Sequence, residues 1–275
     1  MLFLYRIIIN IIFIFSPIIV ILRIFKKKED FFRFKEKFCF FSKKRVKGKL
    51  LWFHGASVGE LQSIIPLIEK LEKNKKINQI LVTSNTLSSS KILDKYKLKK
   101  TIHQFFPIDT NFLTKKFLDY WSPTSVFFID SEIWPNMIFN LKSRGIKVAL
   151  INGRITNKTF KRWEKVKNFS KQIFLKFDLC LSSSIETKSY LKKLGVKSPK
   201  FIGNLKFSQS ENEIIGIEKN LKRFINSKTT WCASSTHKTE ELFCGLVHKT
   251  LKEKYKNLLT IIIPRHINRT SSIIE

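Results

Sequence analysis

The segment WFHGASVGE, residues 52–60, contains the carboxylate of this chain that is best placed to do chemistry. Its apolar first half is typical of a strand and its second half of a helix start, so Glu60 would lie in the first helical turn. One interpretation is structural: Ser57 and Glu60 form a capping box, in which the glutamate reaches back to the serine amide. The other is catalytic: Gly55 and Gly59 leave the backbone bare, so a ligand could approach and the carboxylate could take a proton from an attacking hydroxyl. Both interpretations stay open, and the two roles can alternate.

A second pair of acids follows another apolar run, in FFIDSEIWPN, residues 127–136. Asp130 and Glu132 leave the predicted strand together, and Pro135 suits the first position of the next helix. Because a buried carboxylate without a partner is costly, we expect both acids to face a cleft.

Basic side chains also come directly after predicted strands. Arg154, in INGRIT, could pair with these acids or with a phosphate group, and Lys206, in GNLKF, adds a single positive charge.

Two segments near the end of the sequence predict an anion site. In ASSTHKTEE, residues 233–241, serines and a threonine would open a helix and form a nest of backbone amides. In IIPRHINR, residues 262–269, an arginine emerges from an apolar strand beside a proline, as a phosphate clamp would. The candidate residues are Ser235, Thr236, His237, Pro264 and Arg265.

Short apolar runs that alternate with helical patterns must position these side chains. Such alternation predicts an α/β fold with parallel sheets covered on both faces, in which ligands bind beyond the carboxyl ends of the strands. The predicted strands are 50–55, 79–84, 102–107, 125–130, 147–152, 178–182, 200–203, 230–233 and 258–263.

The domain organisation follows from this pattern. Residues 49–208 predict a first Rossmann-like domain, and the polar, helical stretch 209–228 predicts an interdomain linker helix. Residues 229–275 hold only two further strands, too few for a free-standing α/β domain. We therefore expect this part to be the start of a second, incomplete domain, so that the chain is truncated.

The N-terminal residues 1–25 differ from the rest. Ile7 to Leu22 is almost entirely apolar, with arginines on both sides and no small-residue cleavage site, which favours an uncleaved membrane anchor over a signal peptide. A buried helix is the alternative. Lysines follow the apolar run and should keep the next domain cytoplasmic. Residues 26–48 mix lysine, arginine and phenylalanine, and predict either a basic amphipathic segment on an anionic bilayer or a solvated connector.

Charge and cysteine content limit the classes of partner. The formal net charge of +31 over 275 residues indicates an anionic partner: a nucleic acid, a phospholipid surface or a phosphorylated substrate. Part of the lysine excess is also what an AT-rich genome produces. No module of basic and stacking aromatic residues supports nucleic-acid binding. The four cysteines and five histidines show no metal-ligand spacing, which predicts reduced core thiols and no metal site.

Taken in order, six of these segments resemble those of the bacterial Kdo (3-deoxy-D-manno-octulosonic acid) transferases of lipopolysaccharide synthesis. The segments are SVGE, FFIDSEIWPN, INGRIT, GNLKF, ASSTHKTEE and IIPRHINR. The resemblance implies a GT-B glycosyltransferase at the cytoplasmic face of the inner membrane. It implies transfer of Kdo from CMP-Kdo to the lipid A precursor (lipid IVA), with inversion and without a metal or other cofactor.

The resemblance also implies roles for individual residues. Glu60 matches the general base, while Lys206 and Asp130 match positions that stabilise the transition state, the second with aspartate where the family usually has glutamate. Pro264 and Arg265 match the pair that contacts CMP.

Four further residues, Ser57, Gly59, Glu132 and Arg154, are candidates for the acceptor cleft. Thr239 stands where glycine is usual. Because the family's sequences continue further, the alternative function is a lipid A precursor-binding protein that lacks most of the donor site.

Overall fold

Strand and helix patterns alternate from Leu50 onward, and they produce parallel sheets, as predicted. The computed structural model describes residues 1–208, 218–266 and 269–274. The chain divides into two units, Met1–Ser210 and Glu211–Glu275.

The first unit is built on a seven-stranded parallel sheet with the order β3-β2-β1-β4-β5-β6-β7. This is a Rossmann-like arrangement, in which the chain moves outward from β1 in one direction and then, from β4, in the other. The strands are β1 (Leu50–His54), β2 (Gln79–Ser84), β3 (Thr101–Phe105), β4 (Ser125–Ile129), β5 (Lys147–Gly153), β6 (Leu179–Ser182) and β7 (Lys200–Phe201).

Helices connect these strands, and five of them begin after a serine or threonine. At five helix starts a serine or threonine side chain accepts a hydrogen bond from the amide three residues later, which satisfies one of the free helical N–H groups. The helices are α1 (Leu2–Phe25), α2 (Val58–Glu72), α3 (Leu87–Ser90), α4 (Asn111–Trp121), α5 (Pro135–Ser143), α6 (Asn157–Glu164), α7 (Lys167–Phe174) and α8 (Ile185–Lys193). Short 3-10 helices span Phe34–Phe38, Leu93–Lys95 and Leu205–Ser208.

Strand β1 is buried on both faces of the sheet. Leu50 and Trp52 belong to the core under α4 and α5, whereas Leu51 and Phe53 belong to the core under α2. Successive side chains of a strand point to opposite faces, so a strand covered on both sides is apolar throughout. Apart from His54, its last residue, β1 is therefore apolar, and the candidate acids lie after the strand ends.

The segment between α1 and β1 packs against the edge strand β3. Glu36 is buried. Its carboxylate accepts two hydrogen bonds from the Arg33 guanidinium and another from the Phe105 amide. Phe31 and Phe32 remain exposed. Part of the predicted connector 26–48 therefore has a structural role, and its contact with a bilayer stays a prediction.

The second unit contains the parallel strands β8 (Thr229–Thr236) and β9 (Leu258–Pro264). Its helices are α9 (Lys219–Asn226), α10 (Glu240–Lys254) and α11 (Thr270–Ile274). The predicted linker helix 209–228 is helical over Lys219–Asn226, while residues 209–217 lie outside the described residues.

Two expectations about the second unit were wrong. Ser235 and Thr236 end strand β8 and do not open a helix, because α10 begins only at Glu240. Cys232 is exposed, whereas the other three cysteines are buried as expected. Cys232 lies in a sheet of only two strands, which leaves little to cover its side chain.

Thr239 precedes α10 with a φ of 83°, and its side chain makes no capping hydrogen bond. A β-branched residue in this left-handed region is strained by about 1–2 kcal/mol, and glycine is not. We expect Thr239→Gly to slow amide hydrogen exchange in β8 and α10 by about fivefold or more, as about 1 kcal/mol of added local stability requires. The control is Thr230→Gly, within strand β8, which should speed the same exchange. Unchanged or faster exchange in Thr239→Gly would contradict strain at this position.

Candidate active site

The candidate site lies where strands β1 and β4 end side by side. The chain adds strands on one side of β1 up to β3 and then on the other side from β4 onward. In open parallel sheets the loops diverge at such a point and leave a crevice. The loops that follow β1, β4, β5 and β7 carry Glu60, Asp130, Arg154 and Lys206.

Glu60 is held by two hydrogen bonds at the start of α2. Its Oε2 accepts from the Ala56 amide at 2.7 Å and its Oε1 from the Ser57 hydroxyl at 2.8 Å. Ser57 is the N-cap and accepts from the Glu60 amide at 3.3 Å, as predicted. The expected return bond to the Ser57 amide is replaced by the bond to Ala56, because the carboxylate reaches one residue further back.

Asp130 has a strained backbone and a perturbed carboxyl group. Its φ of 59° lies in the left-handed region, where its N–H donates to Ile151 and its carbonyl accepts from the Arg154 amide. Burial, followed by the negative charge of Glu60, raises the pKa of Asp130 to about 6 against the opposing charges of Lys206 and Arg154. The side chains of Glu60, Lys206 and Arg154 are thus near enough to Asp130 to act on its carboxyl group. Backbone strain of this kind is concentrated at functional sites.

Glu132 is turned toward His54 at the end of β1. His54 Nε2 and Trp134 Nε1 lie 3.1 Å and 2.8 Å from Glu132 Oε2. Burial alone raises the pKa of Glu132, but the hydrogen bond and charge of His54, together with the hydrogen bond of Trp134, outweigh it and hold the pKa below its ordinary value. The Glu132 side chain is 13% exposed.

The His54 ring is held on both sides. Trp52 Nε1 donates to Thr83 Oγ1 at 2.8 Å, and His54 Nδ1 lies 2.9 Å from the same oxygen. His54 Nε2 lies 3.1 Å from Trp134 Nε1 and 3.1 Å from Glu132 Oε2, so the ring contacts both residues of the segment that follows β4. The sequence analysis did not single out His54, although a histidine that ends an apolar strand was a signal for it.

Lys206 is placed by a side chain that the sequence analysis also missed. Asn152, buried at the end of β5 with a φ of 53°, accepts from the Leu205 amide at 3.0 Å and so fixes the loop that carries Lys206. The Lys206 ammonium lies beside Gly59, since a Cβ built on this glycine would be 3.7 Å from Nζ. The candidate site thus lies at the carboxyl ends of β1, β4, β5 and β7.

The candidate donor residues belong to the second unit, at the ends of β8 and β9. The Arg265 amide donates to the Thr236 carbonyl at 2.9 Å, so these two segments adjoin, and Pro264 pairs with Thr236. Arg265 and Ser235 are exposed. The His237 amide donates to Glu240 Oε2 at 2.7 Å. No three His, Cys, Asp or Glu side chains among residues 1–208, 218–266 and 269–274 come close enough to hold a metal ion.

Comparison with known proteins gives a consistent result. A family model described as 3-deoxy-D-manno-octulosonic-acid transferase (kdotransferase) matches residues 32–209. The 3-deoxy-D-manno-octulosonic acid transferase of Rickettsia bellii (strain RML369-C) is 33% identical over 263 residues, which cover 94% of this chain and 62% of the relative. The enzyme of that name from Rickettsia felis (strain ATCC VR-1525 / URRWXCal2) is 37% identical over 227 residues, covering 82% of this chain and 49% of the relative. The chain thus spans about half to three fifths of the length of these relatives.

Solved structures share the fold at low sequence identity. A UDP-GlcNAc 2-epimerase from Neisseria meningitidis, bound to UDP-GlcNAc, superposes with a TM-score of 0.58 at 17% identity and covers 82% of this chain and 68% of its own. The S. aureus MnaA-UDP structure gives a TM-score of 0.56 at 12% identity, with 82% and 64% coverage. At these identities the similarity establishes the Rossmann-like fold alone.

The space around Gly55 and Gly59 predicts that alanine affects stability differently at these two positions. A Cβ at Gly55 would lie 3.1 Å from Leu61 Cδ2 and 3.2 Å from Glu60 Cβ, so Gly55→Ala should lower the free energy of unfolding by about 1–2 kcal/mol. Gly59→Ala meets only the flexible end of Lys206 and adds a better helix former to α2, so it should not lower stability. Urea unfolding in detergent measures both, and equal effects would contradict this account of the loop.

Burial of Asp130 predicts that Asp130→Asn changes the free energy of unfolding in a pH-dependent way. In the unfolded chain an aspartate has a pKa of about 3.9, whereas the folded value is about 6. The folded state therefore binds the proton more tightly, and the stability so gained is present below pH ~4 and is lost as the pH rises through about 6. Asparagine carries no such charge and tolerates a positive φ. We compare the unfolding free energy of Asp130→Asn with that of wild type by urea unfolding. The difference, variant minus wild type, should be about 1–3 kcal/mol more positive at pH 7 than at pH 4.

The control for this measurement is Asp94→Asn, which removes an exposed carboxylate of the same unit. It reports the general effect of one negative charge on the unfolding free energy. If Asp130→Asn shows no larger change between pH 4 and pH 7 than this control, Asp130 is not the buried, charge-coupled acid described above.

Proposed function

This chain belongs to the 3-deoxy-D-manno-octulosonic-acid (Kdo) transferase family, and on that premise we propose that it is a glycosyltransferase of lipopolysaccharide synthesis. In this proposal it moves Kdo from CMP-Kdo to a hydroxyl of the lipid A precursor, lipid IVA, with inversion at the anomeric carbon. The observation that carries the proposal is the convergence of Glu60, Asp130, Arg154 and Lys206 at one edge of the sheet.

Glu60 is the proposed general base. As the acceptor oxygen bonds to the anomeric carbon of Kdo, its proton passes to the Glu60 carboxylate, and the bond from that carbon to the CMP phosphate oxygen breaks. The two hydrogen bonds from Ala56 and Ser57 occupy one lone pair on each carboxylate oxygen and leave the others available. Helix capping therefore orients the base and does not block it.

Asp130 and Lys206 are proposed to stabilise the transition state by charge. An anomeric carbon that loses its leaving group gains positive charge, which a carboxylate stabilises, and the departing phosphate gains negative charge, which an ammonium stabilises. Asp130 is ionised above pH ~6, so the pair is oppositely charged at neutral pH. Glu132 is bonded to His54 and Trp134, which suits a residue that fixes the loop of Asp130.

Arg154 and Ser57 suit the phosphorylated acceptor, and the exposed Arg265 beside Pro264 suits the phosphate of CMP. In the second unit the Ser235, Thr236 and His237 segment adjoins that arginine through the bond from the Arg265 amide to Thr236. We propose that the protein acts at the cytoplasmic face of the inner membrane, among phospholipids, with no cofactor and no nucleic acid.

The second candidate is a protein that binds the lipid A precursor without transferring Kdo. It is favoured by one observation: the family model matches residues 32–209, which hold the candidate acceptor residues and not the candidate donor residues Pro264 and Arg265. Equilibrium binding of CMP-Kdo separates the two candidates. Binding of lipid IVA without binding of CMP-Kdo would favour this second function.

Replacement of the base gives the sharpest test of the first candidate. Glu60→Gln keeps the shape of the side chain and removes its basicity, so kcat for Kdo transfer should fall by about 10²–10⁴ while lipid IVA binding stays unchanged. Glu69→Gln, an exposed glutamate on the same helix, is the control and should transfer at the wild-type rate. Transfer by Glu60→Gln at a rate near that of the control would remove Glu60 from the role of base.

A further inference from the structure

Helix α1 is apolar enough to cross a bilayer by length and composition, yet it lies lengthwise on the first unit. Leu2, Tyr5 and Phe13 pack against the core, and Ser16 and Val20 are buried. Together with the half-buried Ile9, they recur every three to four residues and trace one face of the helix over most of its length, about 36 Å for 24 residues. The contact is thus a continuous stripe and not a single point of attachment.

Polar contacts hold the first turns of α1. The Tyr5 hydroxyl donates to Asp109 Oδ2 at 2.7 Å, and the Arg6 guanidinium donates to Asn136 at 3.0 Å and to Asn111 at 3.2 Å. Asp109 is 1% exposed. Without Tyr5 and Arg6, buried polar groups would lose partners, which is costly.

The last turn is held in the same way. Arg23 Nε lies 3.0 Å from Glu29 Oε2, and the Glu29 side chain is fully buried and also bonded to Lys37 at 2.7 Å. Since the first turns of α1 are held by hydrogen bonds to Asp109, Asn111 and Asn136 and the last turn by the ion pair of Arg23 with Glu29, the helix cannot tilt away from the unit without breaking these contacts.

The opposite face of α1 is apolar and uncovered. Thirteen large hydrophobic residues on this helix are between 41% and 80% exposed, and Asn10 is the one exposed residue of Leu2–Phe25 whose side chain carries hydrogen-bonding groups. A protein interface would supply about one hydrogen bond per 100–200 Å², whereas hydrocarbon needs none. The exposed residues are Phe3, Leu4, Ile7, Ile8, Ile11, Ile12, Ile14, Phe15, Ile18, Ile19, Ile21, Leu22 and Phe25.

Cationic side chains lie at both ends of this face. Lys26, Lys27 and Lys28 are exposed after the last turn, and Lys165 and Lys167 are exposed beside Met1. A spanning helix typically has its cationic flank on one side of the membrane. Cations at both ends instead match a helix whose two ends meet the same anionic headgroup layer.

We propose that α1 lies in the plane of the membrane, with its exposed face in one leaflet and the first unit docked on its other face. A crossing helix would carry the polar side chains of Asp109, Asn111 and Glu29 along with it into a hydrocarbon layer about 30 Å thick, where polar and ionisable groups are strongly disfavoured. The proposal goes beyond membrane attachment and does not depend on transfer activity.

The in-plane helix also connects to the candidate active site. Asp109, which binds Tyr5, accepts hydrogen bonds from the amides of Asn136 and Met137 at the start of α5, immediately after the loop of Asp130. Leu4 and Ile8 line an apolar cavity of about 340 Å³ together with Trp134, whose indole binds Glu132. Docking of α1 therefore holds the loop of the candidate site next to the membrane surface.

Topology tests the proposal directly. A short protease-cleavable tag before Met1 and another after Glu275 are followed in sealed inverted and right-side-out vesicles of the expressing bacterium's inner membrane. The in-plane helix predicts that both tags are cleaved in the same vesicle orientation. Cleavage of the two tags in opposite orientations would show that α1 crosses the bilayer and would overturn the proposal. Glu60→Gln should give the same topology as wild type, so a failure of the transferase proposal is recognised separately.

Flotation tests whether the exposed face meets lipid. With vesicles of phosphatidylethanolamine and phosphatidylglycerol, Ile11→Glu/Ile18→Glu should bind at least tenfold more weakly than wild type. Ile185→Glu is the matched control, since Ile185 is 70% exposed on α8, and it should bind as wild type does. Undiminished binding by the double variant, or a wild-type chain that dimerises and does not float, would overturn the proposal.

Discussion

Burial of the central strands on both faces is the constraint on which the rest of this molecule depends. Strand β1 contributes Leu50 and Trp52 to one core and Leu51 and Phe53 to the other, so polar side chains find room only beyond its last residues. The same holds for β4, whose loop begins with Asp130. Because parallel strands all end at one edge, acids and bases from distant parts of the sequence are brought to that edge.

The polar contacts at this edge depend on strained backbone conformations. Asp130 and Asn152 both adopt a positive φ, and both use that geometry to bridge one loop to another: Asp130 to the segment of Arg154, and Asn152 to that of Lys206. A buried acid of raised pKa beside a second carboxylate is unfavourable for folding and useful for chemistry. Well-packed cores on either side of the sheet make such strain tolerable.

A second buried acid, Asp109, connects this edge to the N-terminal helix. It binds the Tyr5 hydroxyl and the amides that open α5, so one carboxylate serves as the helix cap and as the docking point of α1. The helix proposed to meet lipid and the loop that carries candidate catalytic groups thereby share one hydrogen-bond network. This arrangement would suit the lipid acceptor proposed above.

Periodicity and apolar runs in the sequence determined the α/β class, the positions of the strands and the six chemistry-bearing segments. They could do so because strands buried on both faces consist almost entirely of apolar residues. The sequence also determined the Ser57 cap of α2, since capping is local. Tertiary structure alone decided the strand order, and with it which segments meet. It likewise decided that Glu132 turns to His54 and that α1 lies against the first unit. These depend on contacts between residues far apart in the chain, and a hydropathy pattern records how apolar a segment is but not what covers it.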